Sequence, residues 1–197
     1  MNLLEIPYTK QRPELPSGCE VTALTMALSF YGVSVSKLTL AREMPMDQTP
    51  IARDEDGKIT VWGDPEDGFV GDPFDNGITI NPRPLKQLAD RYRPGSLALY
   101  GEAFPSIESH LTDGRPVLIW FTIHHELPIE RSWKTPAGKT VPAPRPLHCI
   151  VLTGTDDDYV YFHDCESTEK SGAHVKAAKE HFIRIYDAMG RRALVVT

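Results

Sequence analysis

A basic excess, long apolar runs, paired cysteines and internal repeats are all missing from this 197-residue chain, and each absence removes a class of protein. Lys and Arg number 21 against 27 Asp and Glu, a formal net charge of −6 at pH 7. A surface that tracks phosphates needs the opposite balance or a clear run of Lys and Arg, so no nucleic-acid partner is expected. No apolar run is long enough to span a bilayer. The opening MNLLEIPYTKQRPELP lacks the basic start and apolar stretch of a secretory signal. Cysteine is scarce: Cys19, Cys149 and Cys165 are the only three, and no two stand as Cys-x-x-Cys. Neither a disulfide framework nor a cysteine-rich zinc site is expected, and at least one thiol stays unpaired in a monomer.

What is present is an ordinary globular composition, 41% hydrophobic and 24% charged, read as one domain over residues 1–197. Helix signals come first. Ser17 and Gly18 precede CEVTALTMALSFYG, in which Val21, Leu24 and Leu28 recur at helical spacing, Ala23 and Ala27 lie beside them and Gly32 stops the run. SVSKLTLAREM reads as a second, shorter helix, and from Met44 to Pro84 the chain turns loop-like, rich in Pro, Gly and Asp. RPLKQLADRY and FPSIESHLTDG read as helices, each followed by a strand candidate, SLALY and RPVLIWFTIHH. The Pro-rich KTPAGKTVPAPRP leads to a β-hairpin, LHCIVLTG and YVYFHD around TDDD, and residues 174–197 close with a short helix and strands. Helices before strands predict an α+β fold, with N-terminal helices packed on a mostly antiparallel sheet.

The hairpin carries the chemistry. With its turn centred on Asp156, His148 lies eight residues before the centre and Asp164 eight after it, so the two face one another. Opposed residues have Cβ atoms roughly 4.5–5.5 Å apart, and a two-residue slip leaves them diagonal neighbours. A carboxylate orients an imidazole and makes it more basic, as a general base requires. Cys19, in the first turn of a helix, is the nucleophile this pair would serve: the helix N-terminus and a nearby imidazolium are expected to lower its pKa. Gln11, eight residues upstream, can add a side-chain N–H to the Cys19 backbone N–H as an oxyanion donor.

Through PYTKQ, LPSGCEVTALTMAL, GDPEDGFVGDP, GRPVLIW, LHCIVLTG and DDDYVYFHD, the chain resembles the papain-like bacteriocin-leader peptidases and, more closely, their secreted or surface relatives in Gram-positive bacteria. The resemblance implies a papain-like cysteine peptidase fold, a secreted or cell-surface location, and a Cys-His-Asp triad with an upstream Gln, matched here by Cys19, His148, Asp164 and Gln11. Two positions depart from the pattern. Gly18 stands where leader peptidases carry Asp before the cysteine, and Asp164-Cys165 replaces a frequent Asp-Pro.

Other candidates read as structural. His124 and His125 end a predicted strand, where alternation sends them to opposite faces and away from a shared metal. Asp64, Asp67, Asp72 and Asp75 lack EF-hand spacing and suit turns. Asp156, Asp157 and Asp158 form the hairpin tip, Cys149 is core, and Trp62, Phe69, Trp120 and Trp133 are core or cleft wall. The expected activity is hydrolysis of a peptide or protein substrate through a thioester, with no metal and no cofactor. An amidase or acyltransferase using the same site, or a non-catalytic peptide-binding module on the same fold, are the alternatives.

Overall fold

The computed structural model of the chain describes residues 3–166 and 172–197. Helices α1 (Cys19–Phe30) and α2 (Lys37–Glu43) come first. Five short strands follow: β1 (Met46–Asp47), β2 (Ala52–Arg53), β3 (Ile59–Val61), β4 (Phe69–Gly71) and β5 (Gly77–Thr79). Next come α3 (Pro82–Tyr92), β6 (Leu97–Tyr100), α4 (Phe104–Thr112), β7 (Val117–Thr122), β8 (Ser132–Lys134) and β9 (Thr140–Pro142). The chain ends with β10 (Leu147–Thr155), β11 (Tyr159–His163), β12 (Val175–Ala178), α5 (Lys179–Ala188) and β13 (Arg192–Val195).

The main sheet has six strands in the order β12-β11-β10-β7-β13-β6, and every neighbouring pair is antiparallel. Strand β7 shows why VLIWFT is apolar without a break: all six residues are buried because helices cover both faces. Leu118 and Trp120 pack into the cluster built with α1–α3, while Val117, Ile119 and Phe121 pack into the cluster that includes Phe104, Phe182 and Tyr186 from α4 and α5. Each such side chain stabilises the fold by roughly 1.5–3 kcal/mol. The expected α+β arrangement is present, with the further feature that the sheet is covered on its second face by α4 and α5.

Helix α1 is buried from Cys19 through Leu28. Its two threonines are tolerated there because each hydroxyl donates to a carbonyl four residues back, Thr22 to Gly18 at 2.8 Å and Thr25 to Val21 at 2.9 Å. Ser36 caps α2 by accepting the Thr39 N–H at 3.0 Å. The region expected to be loop from Met44 to Pro84 instead holds β1–β5, which build a three-stranded sheet (β1-β4-β5) and, with β8 and β9, a four-stranded one. Strands of two or three residues leave too little alternation to read from sequence. Trp62 and Trp133 cross at 5.7 Å between ring centres under the second of these sheets.

Candidate active site

Cys19 opens α1, as the apolar period predicts, but Ser17 does not cap it. The Ser17 hydroxyl donates to the Asp75 carbonyl at 2.8 Å and accepts the Gly77 N–H at 3.1 Å, tying the 72–77 loop to the helix start. Gly18 is required by crowding, since a Cβ there would come within 2.9 Å of the Leu15 side chain. Upstream, Gln11 is buried, and the Lys37 ammonium donates to its carbonyl at 2.8 Å. One Nε2–H of Gln11 is engaged with the Pro16 carbonyl at 3.1 Å, which leaves the second.

Asp164 and Cys165 join the two halves of the site. The Asp164 carboxylate takes His148, whose Nε2 lies 2.7 Å from Oδ1. Cys165, buried, donates its thiol to Gln11 Oε1 at 3.4 Å and lies 3.8 Å from the carbonyl oxygen of Cys19, while its own carbonyl accepts the Gln11 N–H at 2.9 Å. The residue that departs from the resembled pattern therefore orients the Gln11 amide. Gly172 closes the segment: its carbonyl accepts the Asp164 N–H at 2.7 Å, and a Cβ on it would sit 1.8 Å from the Asp164 carbonyl oxygen.

The hairpin pairs these residues diagonally. Val151 faces His163 and Leu152 faces Phe162, a register that continues to set Asp164 against Ile150, two positions from His148. The offset comes from the tip, where Asp156 Oδ1 accepts the N–H groups of Asp158 and Tyr159, and from a bulge between Leu152 and Gly154. A second histidine completes the cluster. His125 Nε2 lies 3.0 Å from Asp164 Oδ2, with its ring edge-on to Phe162. Strand β7 stops at Thr122, and the chain curls back through a left-handed His125 (φ 56°), so the alternation expected of His124 and His125 does not apply. His124 is exposed. Burial raises the Asp164 pKa, but hydrogen bonds from His125 and His148 and the His148 charge outweigh it and hold the carboxyl well below the usual carboxylate range.

The surroundings of Cys19 correct the expectation of a lowered pKa. The Cys19 thiol donates to the Glu20 carboxylate at 3.3 Å, and no hydrogen bond joins it to His148 among the described residues. Burial, the Glu20 charge and the neighbouring Cys149 and Cys165 push the thiol well above its ordinary value. Glu20 is itself buried, with Oε1 accepting the Thr79 hydroxyl at 2.6 Å and the Ile80 N–H at 3.3 Å, while the Trp120 indole N–H donates to Thr79 and the Ile80 carbonyl. Burial raises its pKa as well.

Residues 3–194 match the model of the Peptidase_C39 like family. The chain belongs to that family. Uncharacterized protein YvpB of Bacillus subtilis (strain 168) is 34% identical over 188 residues, covering 93% of this chain and 70% of the relative. The crystal structure of a candidate C39-like peptidase from Bacillus anthracis superposes with a TM-score of 0.85 at 30% identity, covering 100% of this chain and 98% of the other. The papain-like α+β fold expected from the sequence is thereby shown.

In this C39-like chain several of the remaining candidates lie in the core or in turns. Trp62, Phe69, Trp120 and Trp133 are buried, and Cys149 is in the core beside α1. Asp64 pairs with Lys139 at 2.5 Å, and Asp72 accepts the Phe74 N–H at 2.8 Å, as in a turn. The Glu20 contact makes a prediction. Glu20→Gln keeps an acceptor for Thr79 and Ile80 and replaces the oxygen facing the thiol with a donor, removing the charge that opposes thiolate. Alkylation of Cys19 by iodoacetamide at pH 7, mapped by mass spectrometry, should be faster in Glu20→Gln than in wild type. An equal or lower rate would show that burial, and not Glu20, holds the thiol protonated.

Proposed function

We propose that this C39-like chain is a cysteine peptidase in which Cys19 is the nucleophile, His148 the base and then the acid, Asp164 the orienting carboxylate and Gln11 an oxyanion donor. The His148–Asp164 contact of 2.7 Å is the observation that carries the reading. It occupies Nε2, so Nδ1 is the ring atom left to take a proton, and the carboxylate stabilises the imidazolium that results. Catalysis begins when the Cys19 side chain turns from Glu20 to His148 and gives up its proton. The thiolate then attacks the peptide carbonyl carbon, and the negative oxygen is held by the Cys19 N–H and the second Nε2–H of Gln11. The imidazolium returns its proton to the departing amine, leaving a thioester. Water, deprotonated by His148, attacks the thioester carbonyl and frees the thiol and a carboxylic acid. His125, on the other carboxylate oxygen, is a positioning residue.

The reading is tested by incubating a mixed peptide library with wild type and with Cys19→Ala and sequencing the products by mass spectrometry. Fragment pairs that sum to the parent plus one water are expected from wild type alone. Identical profiles from the two proteins would overturn it.

A further inference from the structure

Four arginines are neutralised by ordinary surface pairs: Arg12 with Glu166, Arg83 with Glu66, Arg115 with Asp113 and Arg191 with Asp187. Among the described residues the other eight arginines form no such pair, and three of them, Arg53, Arg131 and Arg145, gather at one place. Among the described residues no carboxylate lies within ion-pair distance of any of them, although the chain carries six more acidic than basic residues. Arg53 donates to the Gly57 carbonyl at 2.8 Å and Arg131 to the Ala143 carbonyl at 2.9 Å. The Arg145 side chain is exposed and makes no hydrogen bond to the described residues.

These arginines are gathered around a depression beside the proposed catalytic centre. A cavity of about 350 Å³ has apolar walls from Ile78, Ile123, Ile129 and Leu147, and Arg131 and Arg145 line it as its two cations. Leu147 directly precedes His148 in β10. Gly77, also in the lining, donates its N–H to Ser17, two residues before Cys19. Arg131, Arg145 and Ile78 also line an adjoining depression of about 570 Å³, where Arg53 adds a third guanidinium. Asp56 and Glu130 border that second depression without pairing with the arginines. Placing like charges together is unfavourable, and half-buried Arg131 feels it: burial and then the Arg145 and Arg53 charges lower its pKa. A bound anion would relieve that repulsion, and guanidinium matches the two oxygens of a carboxylate.

We infer that this pocket is a subsite for a carboxylate on the substrate, held by Arg131 and Arg145, with the methylenes leading to it packed on Ile78, Ile129 and Leu147. The inference rests on the peptidase reading, because the pocket gains its meaning from its place beside His148 and Cys19. An acidic side chain and a free carboxy terminus offer the same group, and both sources are tested. The pocket also explains why a chain of net charge −6 brings Arg53 of β2, Arg131 ahead of β8 and Arg145 ahead of β10 to one place without a carboxylate partner.

The test uses quenched fluorescent peptides blocked at both ends, with Glu or Gln placed at one position at a time along a neutral sequence. A second series without acidic side chains carries either a free or an amidated carboxy terminus. In wild type, kcat/KM for the best carboxylate-bearing peptide should exceed that of its amide partner by about tenfold or more, as for charge-assisted hydrogen bonds. Arg145→Gln, a change on an exposed side chain, should bring the ratio of kcat/KM for the acid peptide to that for its amide partner close to one. Arg145→Glu should shift preference toward a Lys peptide. The same labelled peptides are titrated by fluorescence anisotropy against Cys19→Ala and against Cys19→Ala carrying Arg145→Gln. Tighter binding of the carboxylate-bearing peptide to the first, lost in the second, supports the subsite even if wild type cleaves nothing, in which case the peptidase reading alone fails. Equal affinity for acid and amide peptides, or a preference that survives Arg145→Gln, overturns the subsite whether or not peptides are cut.

Discussion

Asp164→Asn should lower turnover by about 10⁴-fold at neutral pH without unfolding the protein, the size of the comparable change in Ser-His-Asp enzymes. The structure makes the reason specific. The Asp164 carboxylate accepts from His148 on one oxygen and from His125 on the other, at 2.7 and 3.0 Å. An amide can accept on one side only. If its NH₂ faces His148, Nε2 must present a lone pair, the proton moves to Nδ1, and the ring can no longer take a proton from Cys19. If the NH₂ faces His125, the His148 tautomer survives but no charge remains to stabilise imidazolium. The same variant has a stability signature. Because the folded pKa of Asp164 is depressed, its charge stabilises the native state fully above the unfolded value of about 3.9, and this contribution is lost as pH falls through the lower folded value. Asp164→Asn should therefore melt earlier than wild type at pH 7, and the gap should narrow below about pH 4. Near-wild-type turnover at pH 7 would make Asp164 a structural residue and remove the orienting role.

Much of this site was legible because it depends on local patterns. Val21, Leu24 and Leu28 place Cys19 at a helix start, and an apolar hairpin with an acidic tip brings His148 near Asp164 even when its register is misjudged by two. The parts that were not legible depend on chain segments far apart. Glu20 is adjacent to Cys19 in sequence, yet its effect on the thiol follows from burial among Thr79, Ile80 and Trp120, and no helix-dipole argument includes that burial. RPVLIWFTIHH reads as one strand, which puts His125 at a strand end and gives no sign of its contact with Asp164. The strand ends where Thr122 donates its hydroxyl to the Glu126 carbonyl and its own carbonyl accepts the His125 N–H, a turn whose sequence mark is the polar HHELP soon after six buried residues. Cys165, a lone cysteine directly after Asp164, carries no sequence signal of its bond to Gln11. The three arginines of the subsite lie on separate segments, Arg53, Arg131 and Arg145, so charge counting along the chain sees only a net acidic protein.

Gln11→Ala should slow acylation by about 10² to 10³, corresponding to roughly 2.7–4 kcal/mol of lost transition-state stabilisation. Gln11 is held on three sides, by Lys37 on its carbonyl, Pro16 on its amide N–H and the Cys165 thiol on its amide oxygen, so one free N–H is presented without rotational freedom. Such a donor matters only while negative charge sits on the substrate carbonyl oxygen. Alkylation of Cys19 by iodoacetamide creates no oxyanion, so Gln11→Ala should alkylate at close to the wild-type rate while peptidase turnover collapses. The variant also loses the Pro16 and Cys165 bonds and should melt somewhat earlier, which is why both rates are compared well below the transition. Gln11→Glu sharpens the comparison: it keeps size and an acceptor for Cys165, but its ionised carboxylate has no N–H to offer and repels the developing oxyanion, so turnover should fall at least as far as in Gln11→Ala. If alkylation and turnover fall in parallel in Gln11→Ala, the residue maintains the helix start that carries Cys19, and the backbone N–H of Cys19 is left as the oxyanion donor.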